Sequence, residues 1–110
     1  MRKTTVILHF LLFAWFASAQ ITVNDHDINA DPNIRYIEVH TFVTAWYIAW
    51  GPKLRLKEAT SQVIKGADGE RYIYESDIAL FNFLDLNGWV YIEKLGDTQL
   101  GAIYLFKKIH

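Results

Sequence analysis

The chain has 110 residues, of which 52% are hydrophobic, 15% aromatic and 21% charged, with a formal charge of −1. That length holds one domain at most, and the charge leaves no basic surplus for a nucleic-acid backbone. With no cysteine, disulfide frameworks, thiolate zinc sites, iron–sulfur clusters, cysteine nucleophiles and lipid attachment through an N-terminal cysteine are excluded.

The chain opens with three zones in a telling order. Met1-Arg2-Lys3 is basic, Val6 to Phe16 is apolar apart from His9, and Ala17-Ser18-Ala19 supplies small residues at −3 and −1 of a cleavage site. The pattern predicts a secretory signal peptide over 1–19, cut between Ala19 and Gln20. The apolar run is shorter than the ~20 residues a spanning helix needs. No later stretch is long enough to span a membrane, so the expectation is a soluble periplasmic or secreted protein.

Residues 20–33 (QITVNDHDINADPN) are polar and rich in Asn and Asp. They read as a flexible N-terminal arm, with Ile21 and Val23 adding at most a short edge strand. Residues 34–50 (IRYIEVHTFVTAWYIAW) are β-branched and aromatic with no Gly or Pro, which predicts strand. The run is too long for one ordinary strand and splits near Thr44 or bends there. Gly51-Pro52 ends it, and Lys53–Lys57 alternates charged with apolar residues, which fits a half-buried strand or a connecting segment.

Gly66-Ala67-Asp68-Gly69 predicts a tight turn joining 61–65 to 70–74, its glycines supplying φ > 0. The hydrophobic period then changes from 2 to 3.6. Ser76 is the predicted N-cap, Asp77 complements the positive helix end, and Gly88 is the predicted stop. Leu80, Phe81 and Leu84 form one apolar face with Ile78 and Phe83 on its shoulders, while Leu86 falls outside it. Residues 89–95 and 101–108 predict two strands joined by a turn at 96–99. Strands, helix, then strands give an α+β domain over 34–110, with an antiparallel sheet of about five or six strands and one helix on one face.

The stretch from Gly66 to Trp89, with the closing Tyr104 and Lys107, resembles a family of small uncharacterised bacterial domains, a domain of unknown function. The likeness rests on Asp68, Gly69, Ser76, Leu80, Phe81, Leu84, Gly88, Trp89, Tyr104 and Lys107. Ile48 to Pro52 (IAWGP) is similar to an element of exported members, departing at Trp50 and Pro52, and Val90 follows Gly88-Trp89 where the family has Glu. The resemblance implies a helix on an antiparallel sheet. It implies no activity, because the family brings no catalytic or binding residues to carry over.

Chemistry-bearing patterns are few. Asp25, Asp27, Asn29 and Asp31 alternate as in a calcium loop, but Ala30 and Tyr36 stand where that loop needs Gly and Glu. A solvated polar arm is the simpler reading. His26, His40 and His110 share no metal-ligand spacing, so no metal and no cofactor is expected. Neither Ser61 nor Ser76 lies in a nucleophile elbow, and no glycine-rich phosphate loop occurs. What remains is aromatic. Trp46, Tyr47 and Trp50 form either an exposed binding patch or part of the core beneath the helix.

The function this favours is a non-catalytic binding or protein-interaction module of the cell envelope, its partner an envelope ligand or protein. The alternative is a small hydrolase using His40 with a carboxylate such as Glu38; a carboxylate pair for glycoside chemistry would be Glu38 with Glu58 or Glu93, which nothing sets apart from an ordinary polar sheet face. Read as one strand, 34–50 is apolar on both parities, with Tyr36, Phe42, Trp46, Ile48 and Trp50 against Ile37, Val39, Val43 and Tyr47. A strand apolar on both faces is normally covered on both, so a homodimer or a curled sheet is expected to cover the second.

Overall fold

The computed structural model describes residues 19–43, 45–51, 59, 61–99 and 101–109. The segments expected as the signal peptide's body (1–18) and as the strand or connecting segment over 53–57 lie outside them, as do Glu58 and His110. Among the described residues the chain forms seven strands and one helix. These are β1 (Thr22–Val23), β2 (His26–Asp27), β3 (Tyr36–Thr41), β4 (Trp46–Ala49), β5 (Ile64–Lys65), α1 (Asp77–Leu86), β6 (Trp89–Thr98) and β7 (Gly101–Lys108). The class is α+β as expected, but the strands make two antiparallel sheets instead of one. The small sheet has the order β2-β1-β5 and the large one β4-β3-β7-β6.

The first difference from the sequence expectation is at 20–33, which is packed into the domain and not a free arm. Asn24 and Asp25 both adopt left-handed φ, at 51° and 68°, which is the two-residue turn that folds β2 back on β1. The Asn24 amide donates to the Val63 carbonyl, and the Asn24 Oδ1 accepts from the Val63 amide, both at 2.8 Å. Ile21, Val23, Ile28 and Ile34 are buried in one cluster with Ile37, Val39 and Ile48 from the large sheet, Leu80 and Leu84 from α1, and Trp89 and Phe106. Lys108 closes the join from the far end of the chain. Its Nζ donates to the Asp31 carbonyl at 2.8 Å and lies 5.6 Å from the Trp89 ring centroid.

The second difference is parity. β3 and β4 are a hairpin, with Thr41 opposite Trp46 and the Phe42 amide donating to the Ala45 carbonyl. The reversal puts Trp46 and Ile48 on the same side as Ile37 and Val39. The other face of β3 presents Tyr36, Glu38 and His40, and β7 adds Lys107. That face is mixed in polarity, as solvated faces of antiparallel sheets are. The same face also carries Tyr47, Ala49, Ile103 and Leu105, opposite His40 and Glu38, so the two parities read along one strand do not correspond to the two faces of the sheet.

The helix follows its sequence signals. Ser76 Oγ accepts from the Ala79 amide at 3.1 Å, Leu80 and Leu84 are buried, and Leu86 is exposed. Ile78, placed on the shoulder of the apolar face, is instead 70% exposed. Gly69 has φ +79°, but Gly66 serves space and not φ, since a Cβ there would lie 2.8 Å from the Phe83 ring. β6 runs on through Gly96–Thr98, where the turn was expected, with register shifts at 91/93 and 94/96.

Gly88 has φ +91°, and a Cβ there would meet Asn29 Nδ2 at 3.3 Å. Gly88→Val is therefore expected to lower unfolding free energy by more than ~1 kcal/mol, read as a reduced urea midpoint at unchanged slope. A midpoint equal to that of the wild type would refute the role of this residue as the helix stop.

Candidate functional site

The three aromatic residues picked from the sequence go to three surroundings and form no common patch. Trp46 points inward and packs edge-on to Tyr72 and Phe83, with centroid distances of 5.5 and 6.1 Å. Tyr47 points to the opposite face, as alternation requires. Trp50 follows β4 and is 37% exposed.

Tyr47 stacks on His40, its cross-strand partner, at 4.5 Å and 12°. His40 Nε2 lies 2.9 Å from Glu38 Oε1, and the Tyr47 hydroxyl lies 3.1 Å from His40 Nδ1. Carboxylate, imidazole and hydroxyl in sequence have the composition of a catalytic relay. The geometry differs. A relay needs the hydroxyl in the imidazole plane, on the nitrogen lone pair, whereas near-parallel stacked rings set the phenol oxygen above that plane. Burial, then the charge of Glu38, also pushes the Tyr47 phenol up, away from nucleophilic use at neutral pH. Glu93, another carboxylate weighed for hydrolysis, sits two strands from Glu38 across Leu105.

Trp50 is held from behind. His26, at the start of β2, stacks on it at 5.9 Å and 17°. His26 Nε2 in turn contacts Asp31 Oδ2 at 2.8 Å. Asp31 lies below the usual carboxylate range, first through the Asn33 amide and then through His26. Oxygens of Asp27, Asn29 and Asp31 in the calcium-like loop are thus engaged by the chain itself. Asp27 Oδ1 accepts from the Asn29 and Ala30 amides, and Asn29 bonds elsewhere.

In front of Trp50 lies a shallow groove of about 250 Å³, lined by Tyr36, Glu38, Ala49, Trp50 and Leu105 among others. Tyr36 is 50% exposed, and Lys107 Nζ lies 5.8 Å from its ring centroid. Sequence reading found Trp50 but missed Tyr36 and His26 as its neighbours. Register across β3, β4 and β7 brings Tyr36, Glu38 and Lys107 together. The local signal that was available is the Asn24-Asp25 turn, which carries His26 back toward the domain.

A second polar cluster serves the fold. Tyr74 and Tyr104 hydroxyls donate to Asp77 Oδ1 and Oδ2, tying the first turn of α1 to β7. Both phenols are pushed up to about 12, Tyr74 chiefly by the Asp77 bond and Tyr104 chiefly by burial. Their folded-state values exceed the unfolded value of about 10, so their contribution is complete below pH ~10 and is lost as pH rises toward ~12. Denaturation midpoints should fall over that window, and the fall should shrink in a Tyr74→Phe, Tyr104→Phe double variant. An unchanged alkaline fall in that variant would refute the assignment.

Comparison with family models, with curated proteins and with solved structures found no match. Among the described residues no three His, Asp or Glu side chains are grouped to hold a metal ion, and no helix is long and apolar enough to cross a membrane.

Proposed function

We propose that the chain is an exported, non-catalytic binding module of the cell envelope that takes its ligand at the groove beside Trp50. The observation that carries this reading is the groove itself. Two partly exposed aromatic rings flank a half-exposed carboxylate, and each of Trp50 and Glu38 is held by a histidine. Preorganised aromatic and polar groups around a concavity are what binding sites use. Export is supported by the basic, apolar and small-residue zones of 1–19. Membership of the small bacterial domain family stays a proposal on the residues that carry it, and it adds no activity.

The hydrolase reading is favoured by one observation, the Glu38–His40 contact. The stacked position of Tyr47 above the imidazole weighs against it, and a binding module needs no such relay.

The test has two arms. Intact mass of the exported form is expected to begin at Gln20, and a retained Met1 would refute export by cleavage. Titration with soluble envelope polysaccharides and peptides, followed by tryptophan fluorescence, is expected to give a saturable change. That change should be lost in Trp50→Phe and kept in Trp46→Phe. Its persistence in Trp50→Phe would place binding elsewhere.

A further inference from the structure

We propose that the groove takes a single neutral pyranose ring, a reading that rests on the proposed binding role and names its ligand class. The first argument is size. At about 250 Å³ and open to solvent, the groove is smaller than the ~300–1,000 Å³ of sites for drug-sized ligands. It accommodates one six-membered ring that remains attached to a longer chain outside.

The second argument is the distribution of surface. Trp50 and Tyr36 offer flat apolar rings, and Ala49 and Leu105 make an apolar floor. A ligand that fits must have an apolar face of its own, since covering these rings with a fully polar group would desolvate it without return. The C–H face of a pyranose meets that requirement while its rim stays polar.

The third argument is charge. Glu38 Oε1 is engaged by His40 Nε2, and among the described residues Oε2 has no partner. Lys107 stands in the next row of the same face, opposite Tyr36, and forms no ion pair among the described residues. An organic cation drawn to the aromatic rings would meet the Lys107 ammonium, and an anion drawn to Lys107 would meet Glu38. A neutral polyol is repelled by neither. Its hydroxyls donate to the Glu38 carboxylate, which lines the groove, so that charge stays satisfied when water leaves.

The fourth argument is rigidity. His26 braces Trp50 from behind, and His40 fixes the Glu38 carboxylate. Weak single-ring binding depends on groups that need no ordering when the ligand arrives.

The experiment is amide and indole shift mapping of the exported chain by NMR. The probes are the methyl glycosides of glucose, galactose and N-acetylglucosamine, with tetramethylammonium and acetate as comparison ions. At least one glycoside is expected to bind with a dissociation constant of about 1 mM, shifting Tyr36, Ala49, Gly51 and the Trp50 indole N–H. Raising salt to about 0.5 M should change that constant less than about twofold, because no net charge is exchanged. Trp50→Ala and Tyr36→Ala should each weaken binding about tenfold or more, with circular dichroism showing that both variants fold. If tetramethylammonium or acetate shifts these residues and no glycoside does, the pyranose is refuted while the groove stands as a binding site. If glycosides shift only residues elsewhere, or no probe shifts the groove, the groove reading fails as well.

Discussion

Gly101→Ala is expected to be the most damaging single change in the domain. A Cβ at this position would lie 1.7 Å from the Thr41 carbonyl oxygen and 2.5 Å from its carbon. The clash is with backbone, so no rotamer relieves it. The same place carries a reciprocal pair, in which Thr41 Oγ1 donates to the Ala102 carbonyl and accepts from the Ala102 amide, at 3.3 and 3.2 Å. Accommodating one methyl therefore means moving β7 away from the end of β3, and with it the register that places Lys107 opposite Tyr36. Overpacking at a site that can yield costs about 1–3 kcal/mol, and here about 3 kcal/mol or more is expected. Urea denaturation reads the loss. A Gly101→Ala midpoint within experimental error of the wild type would show that the two strands do not approach so closely.

Asn29→Ala carries the next largest expected effect, because one side chain makes four hydrogen bonds that join residues 19–21 to residues 87–89. Its Oδ1 accepts from the Ile21 amide at 3.1 Å and from the Trp89 indole at 2.9 Å. Its Nδ2 donates to the Asn87 carbonyl at 2.7 Å and to the Ala19 carbonyl at 3.3 Å. Truncation leaves the Trp89 indole N–H, on a residue with no exposed surface, without an acceptor. A buried donor so orphaned costs about 1–3 kcal/mol, and with the Ile21 amide also stranded the total is expected near 2–5 kcal/mol. Asn29→Asp keeps both acceptor contacts and loses the two donated ones, so its loss should be smaller. Equal losses in the two variants would refute the role assigned to Oδ1.

Much of the fold was legible where local rules and packing agree. The cap at Ser76, the stop at Gly88 and the turn at Asp68-Gly69 stand where periodicity and turn chemistry put them. The final hairpin forms too, but β6 runs through Thr98, past the start of the expected turn at 96–99, and the arm expected as a strand over 70–74 keeps only the bridge from Arg71 to Lys65. The N-terminal segment was not read correctly, because polarity was allowed to outweigh spacing. Ile21, Val23, Ile28 and Ile34 are scattered among Asn and Asp, yet all four are buried. The Asn24-Asp25 pair, two residues tolerant of left-handed φ, was the available signal for a hairpin. The expected split near Thr44 does fall between β3 and β4, but with no Gly or Pro to mark a reversal the parity was counted along a single strand and so misassigned. Of the groove, only Trp50 was legible. Tyr36, Glu38 and Lys107 reach it through cross-strand register, which no spacing along the chain encodes. Gly101 was equally silent, since its need for a missing side chain arises from a backbone sixty residues away in the sequence on the order of a whole-domain contact.

The central claim is that this protein binds at the Trp50 groove and does not turn its ligand over at His40. One measurement addresses both halves. Soluble fragments of envelope polysaccharide are mixed with the purified protein, and ligand and protein signals are followed together by NMR over many hours. The account predicts a shift of the Trp50 indole N–H that saturates with ligand while the ligand spectrum stays constant, with the same behaviour in His40→Ala. Conversion of the ligand that stops in His40→Ala, with the Trp50 signal unmoved, would contradict it.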